Sequence, residues 1–289
     1  MPQIFKGSFS SKLEKIWVQI RQGAFDLIEE PSMFTINHEV IAGVPTLHVS
    51  KQSLWDKRTP AVFFIHGFTS AKEHNLHYAY LLANEGFRVF LPEVNWHGER
   101  LEHANINPDK VYYKFWDMVI QTIHELNDMR KELLNKSIID EQRIGVAGLS
   151  MGGIITLGAL KRYEWIKTAV SLMGCPAYKQ FGNGLISELK RQGEKLPFSD
   201  EELEVKINDL KPYDLSLEPE RLHNRPLLFW HGKEDSVVPY NYAYEFYLNN
   251  KDLYKNNPEK FKFLTDPKAG HKVSRNGVLE TIQWFRKFL

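Results

Sequence analysis

"GVAGLSMGG", residues 145–153, sets four glycines around one serine, which follows the apolar residues Ile144, Val146 and Ala147. Within it, Gly148-Leu149-Ser150-Met151-Gly152 has the form G-x-S-x-G, at a point where a buried strand gives way to a helical run from about Met151. A turn that sharp strains the backbone of its central residue, and side chains two positions to either side would collide, a collision that glycine removes. The same turn lifts a serine hydroxyl above the sheet edge at a helix N-terminus, where free N–H groups favour a developing negative charge. Glycines that only let a helix pack close to a strand would leave the same five letters. The strand-to-helix setting favours a nucleophile at Ser150.

Short apolar runs recur on both sides of this turn: AVFFI from 61, RVFL from 88, RIGVA from 143, TAVSLM from 168, PLLFW from 226 and FKFL from 261. Runs without polar alternation suit strands buried on both faces. Helical patterns separate them, over 73–85, 109–135 and the tail 276–289, so the chain is expected to be an α/β protein with a mostly parallel central sheet flanked by helices. Alternating residues on both sides of Ala42-Gly43 predict a hairpin over 33–50. Residues 10–30 place Leu13, Ile16, Trp17 and Ile20 at helical spacing, and 56–60 read as a polar linker. No repeat or boundary linker divides the chain, and one domain over 1–289 is expected.

The 289 residues are 43% hydrophobic and 25% charged, enough for a sizeable core. Lys and Arg number 37 against 36 Asp and Glu, a net charge of +1 that offers no field for nucleic acid or an anionic membrane. A single cysteine, Cys175, excludes an intramolecular disulfide and reads as a small buried residue. No signal-peptide pattern opens the sequence, and no run approaches the roughly 18 apolar residues of a membrane span, so a cytoplasmic protein is expected. With no G-x-G-x-x-G or P-loop, no nucleotide cofactor is implied. His74 and His77, three residues apart without a third ligand, read as rim histidines rather than a metal site.

A serine hydroxyl attacks only when a base takes its proton and a third group orients that base. In the order Ser, acid, His, the histidines after Ser150 are His223, His231 and His271. His271, in the turn DPKAGH after the last apolar run, can be carried over the serine by its loop; His231 ends a buried strand and His223 lies in a polar stretch. For the acid, HGKEDSVVP places Asp235 just beyond the PLLFW strand, at the carboxyl edge where such sheets gather their sites. Glu234, Asp214 and Asp266 are its rivals. The oxyanion needs two N–H groups: one from Met151, the other from the loop His66-Gly67-Phe68-Thr69-Ser70, where Phe68 is the candidate, Gly67 lets the backbone turn inward and His66 braces the loop.

FFIHGFTS, GLSMGG, HGKEDSVVP and AGH in this order resemble the α/β-hydrolase fold family, and within it the dienelactone-hydrolase and prolyl-oligopeptidase-like branch of small bacterial esterases, over roughly residues 36–288. The resemblance implies Ser150 as nucleophile, His271 as base, Asp235 as orienting acid and Phe68 with Met151 as oxyanion donors. Two features depart from it: PEVNWHGER at 92–100 has His97-Gly98 in place of an aspartate-led turn, and no β-propeller precedes the hydrolase part, which turns expectation away from oligopeptidase activity. The connection after TAVSLM is longer than a strand crossover needs, so a cap is expected over about 176–212. Its stripe Phe181, Leu185, Ile186 and Leu189 reads either as packing against the sheet or as a lid over an acyl or alcohol pocket, with Phe181 and Leu185 as candidate substrate contacts. The expected activity is hydrolysis of small-molecule carboxylic esters through an acyl-enzyme, without cofactor or metal. A peptidase, an acyltransferase or a thioesterase would use the same residues, and a silent binding protein would lack a triad member.

Overall fold

Every apolar run named above becomes a strand of one eight-stranded sheet. The computed structural model describes residues 33–102 and 108–289, and the helix expected over 10–30 lies outside the described residues. β1 (Phe34–Ile41) and β2 (Val44–Lys51) form the expected hairpin, with Ala42 and Gly43 both at positive φ as a tight two-residue turn requires. β3 (Thr59–Ile65), β4 (Arg88–Pro92), β5 (Ile139–Leu149), β6 (Thr168–Leu172), β7 (Leu227–Gly232) and β8 (Phe261–Asp266) complete the order β1-β2-β4-β3-β5-β6-β7-β8. β1 and β2 pair antiparallel, as do β2 and β4, whereas every pairing from β4 to β8 is parallel. Thr59 and Pro60 belong to β3, because Thr59 N–H already donates to Ile138 O, so the linker is shorter than its composition suggests.

The helices are α1 (Leu76–Asn84), α2 (Gly98–Glu102), α3 (Phe115–Asn135), α4 (Met151–Arg162), α5 (Tyr178–Arg191), α6 (Asp200–Asn208), α7 (Tyr240–Asn250) and α8 (Arg275–Phe288). The patterns over 73–85 and 109–135 each open with a 3₁₀ stretch, Lys72–Asn75 and Pro108–Lys114, before the α-helix proper. Helices cover both faces of the sheet. On one face α3 buries Met118, Ile123, Leu126, Met129 and Leu133, a stripe at helical spacing, against β5 and α4. On the other, α1 buries Tyr78 and Leu82 against β2 and β4, and α8 buries Ile282 and Phe285 against β6 and β7. α4 is buried from Met151 to Lys161, so the helix that begins at the serine cannot shift without disturbing the core. Among the described residues no helix is long and apolar enough to cross a membrane.

α5 and α6 form a helical insertion between β6 and β7. Its two stems are tied together: Ser216 N–H donates to Pro176 O at 3.2 Å, and Lys179 N–H donates to Asp214 Oδ2 at 2.8 Å. From α4, Lys161 Nζ donates to Lys211 O at 2.8 Å and to Asp214 O at 3.0 Å. Asp214, a rival for the acid role, is thereby spent on fixing the base of the insertion.

Candidate active site

The β5–α4 turn holds Ser150 at φ 53°, in the left-handed region that β-carbon-bearing residues avoid. Close approach enforces it: a Cβ at Gly148 would lie 2.4 Å from Gly152 C, and one at Gly152 would lie 2.1 Å from Ile65 O. Ser150 N–H donates to Leu172 O at the end of β6, 2.8 Å away, which stitches the turn to its neighbouring strand. Met151, the first residue of α4, has no acceptor for its N–H within the helix.

The loops after β7 and β8 bring the other two groups over the serine. His271 Nε2 lies 2.8 Å from Ser150 Oγ, and His271 Nδ1 lies 2.7 Å from Asp235 Oδ2. A carboxylate only accepts, so Nδ1 carries a proton and Nε2 is free to receive the serine hydroxyl. Asp235 is fully enclosed, and its Oδ1 accepts N–H bonds from Val237 at 2.9 Å and Val238 at 3.0 Å. Burial by itself drives this carboxyl up. The hydrogen bonds from His231, His271 and Val238 N–H, with the charge of His271, outweigh burial and hold it well below the usual carboxylate range. Glu234, one residue earlier, is exposed, and Asp266 ends β8 with its carboxylate on Lys268 N–H. His231 is buried with Nε2 2.9 Å from Val238 O, fixing the loop that carries Asp235, while His223 stands exposed at a left-handed corner. Cys175 is buried, and burial pushes its thiol up.

The loop after β3 faces the turn from the other side. A Cβ built on Gly67 would lie 3.5 Å from Ser150 Cβ, ordinary contact, so neither space nor a left-handed φ demands glycine there. Phe68 follows, next to Thr69, whose φ is 59°. His66 is buried; its Nδ1 pairs with Gly67 O at 2.8 Å, and Val94 N–H donates to its Nε2 at 3.0 Å. The residue that sequence reasoning missed is His97. Its Nε2 accepts Thr69 N–H at 3.0 Å and its Nδ1 donates to Asn95 O at 3.0 Å, so a neutral ring braces the loop. Burial pushes its pKa down to about 4, against the opposing pull of its bond to Asn95 O. Beneath it Glu93, also buried, takes Lys72 Nζ at 3.0 Å, an ion pair whose only sequence signal is a carboxylate directly after the buried run RVFLP. His74, read as a rim residue, pairs Nδ1 with Ser70 Oγ at 3.1 Å.

Ser150 lines a cavity of about 280 Å³ whose walls are mostly apolar. Phe68 and Ile154 belong to it, and so do Phe181, Leu185 and Leu189 of the expected stripe. Ile186 does not; it turns toward Leu203 and Ile207 of α6. One α-helical turn carries both faces, and spacing alone could not divide them.

A model of the prolyl oligopeptidase family matches residues 74–289 of the chain. The chain is 46% identical over 257 residues to YitV of Bacillus subtilis (strain 168), a protein provisionally named an esterase, across 89% of this chain and the whole of that protein. It is 26% identical over 258 residues to Esterase YjfP of Escherichia coli (strain K12), again across 89% of this chain and the whole of that one. Among solved structures, TT1662 from Thermus thermophilus superposes with a TM-score of 0.65 at 16% identity, covering 88% of this chain and 98% of its own, a likeness of fold.

Proposed function

From the premise that this chain belongs to the prolyl oligopeptidase family of serine hydrolases, we propose that it hydrolyses carboxylic esters of small molecules, with Ser150, His271 and Asp235 as its triad. The observation that carries the proposal is the unbroken line Ser150 Oγ to His271 Nε2 to Asp235 Oδ2, at 2.8 and 2.7 Å, at the wall of an apolar cavity. His271 Nε2 takes the serine proton as Oγ attacks the ester carbonyl carbon. The carbonyl electron pair moves onto oxygen, which the N–H groups of Phe68 and Met151 receive. The C–O bond to the alcohol then breaks, and the alcohol leaves with the proton from Nε2. Water, deprotonated by the same nitrogen, attacks the acyl-enzyme and releases the carboxylic acid and the serine. Asp235, held ionised, keeps the proton of the ring on Nδ1 and stabilises the imidazolium formed in each half-reaction.

The reading extends to residues 176–212 as a cap on the single hydrolase domain, with Phe181 and Leu185 touching substrate. It extends also to a cytoplasmic enzyme without nucleic-acid or membrane partners, supported by the near-zero net charge and the single cysteine. A fluorophosphonate probe tests the chemistry, because labelling requires an activated serine. Ser150→Ala is expected to abolish labelling and to lower ester turnover by roughly 10⁶-fold. Undiminished labelling in that variant would place the nucleophile elsewhere.

A further inference from the structure

The cavity beside Ser150 is lined on one side by α5 and the residue after it, at positions 181, 185, 188, 189 and 192. Offsets of 4, 7, 8 and 11 residues keep to one helix face, and eleven residues at 1.5 Å each extend about 16 Å. The start of this row is pinned near the nucleophile. Tyr178 Oη donates to Ile154 O at 2.5 Å, and Ile154, one turn beyond Ser150 on α4, lines the same cavity. Exposure then rises along the row: Phe181 is buried, Leu185 and Leu189 are half-buried, and Glu188 and Gln192 are exposed. The closed end therefore lies beside Ser150 and the open end at the C-terminus of α5.

We infer that this cavity is a groove along α5 that takes one linear apolar arm of the substrate, and that Leu185 and Leu189 set, in that order from the serine, how much of the arm is held. The inference rests on the reading of Ser150 as nucleophile. The walls give the arm its chemistry: Phe115 and Val238 face α5 and offer no charge along its course. Only at the mouth does a charge appear. Arg191 and Gln192 hydrogen-bond the Glu188 carboxylate and hold its pKa down at about 2, so it stays ionised and an apolar chain gains nothing by continuing past it. Leu185 and Leu189 also wall a second cavity of about 100 Å³ on the α6 side of α5, and by separating the two they keep the groove narrow.

The test uses the full chain carrying Ser150→Ala and measures dissociation constants for straight-chain alkanols from butanol to dodecanol. Affinity is expected to rise about two- to fourfold per methylene, at most about 0.8 kcal/mol each, and to level off where the chain outruns the groove. Leu189→Trp should bring the plateau to a shorter chain, and Leu185→Trp to one shorter still by the rise over four helical residues, about 6 Å. Affinity independent of chain length, or plateaus in the reverse order or coincident in the two variants with thermal unfolding showing both folded, would overturn the inference. Length-dependent binding to this variant, with no ester turned over by the chain that keeps Ser150, would overturn the proposed function and leave the groove standing. With the serine restored, an acyl series on one alcohol and an alcohol series on one acyl group tell which arm the groove holds. Dependence in neither series overturns the inference.

Discussion

Two loop systems meet at Ser150, and opposite electrostatic means hold them. After β7 and β8 the fixing element is a charge: Asp235, enclosed and ionised, accepts two backbone N–H groups and His271. After β3 and β4 it is a neutral ring: His97, with its pKa pushed down to about 4 by burial, accepts Thr69 N–H and donates to Asn95 O. The first side has to tolerate a proton arriving on His271 and leaving again, and a nearby carboxylate lowers the energy of the charged intermediate. The second side must stay as it is, because a protonated His97 would present a donor to the Thr69 N–H donor. A histidine thus serves as the moving part in one region and as a fixed acceptor in the other.

The largest expected break in this contrast comes from the charged side. Asp235→Asn should lower kcat on the order of 10⁴-fold by losing the tautomer of His271, while Glu234→Gln changes it little. Steady-state kinetics on one model ester decide it, and equal losses in the two variants would remove Asp235 from its role. On the neutral side, His97→Ala should reduce kcat about tenfold to a hundredfold and KM far less, a smaller loss than the 10²–10³ seen when an oxyanion donor itself is removed. His97→Gln, whose amide oxygen can accept from Thr69, should recover part of the loss. A change in KM alone, with no recovery in the Gln variant, would reduce His97 to packing.

The smallest effect is on stability and sharpens the same contrast. His97 and His48 are both held down to about 4 by burial, against an ordinary 6.5, with Arg88 adding to the effect at His48. Between those values the unfolded chain binds protons that the folded chain refuses, so stability falls as pH drops from about 6.5 to 4, by up to about 3 kcal/mol for each ring. Urea unfolding at pH 7 and pH 5 should show the loss, and His97→Gln should show less of it. An unchanged pH dependence in that variant would mean that the ring is not held neutral.

The parallel sheet was legible because its strands are buried on both faces, so their apolar runs stand out from the polar sequence between them. The three residues of the Ser150 line were legible because each sits in the turn or loop that follows such a run, and a run fixes where its loop emerges. His97 was not, since its partner Thr69 is 28 residues away on the loop of another strand. Nothing in PEVNWHGER distinguishes a ring that accepts an N–H from one that faces water. Ile186 was assigned with Leu185 for a similar reason: adjacent helical residues point about 100° apart, and only the position of α6 decides which of them faces the serine.

The bond from Ser150 N–H to Leu172 O has a consequence for the order in which this molecule matures. The acceptor belongs to β6, which joins β5 in parallel and therefore only after the whole of α4 has been laid down between them. His271 arrives from 121 residues further along. Parallel pairing and contacts of such sequence separation form late, because the intervening chain loses its freedom before the contacts compensate. On refolding, then, reactive serine reports that the sheet has closed from β5 through β8, and helix content recovered before that moment belongs to an inert chain.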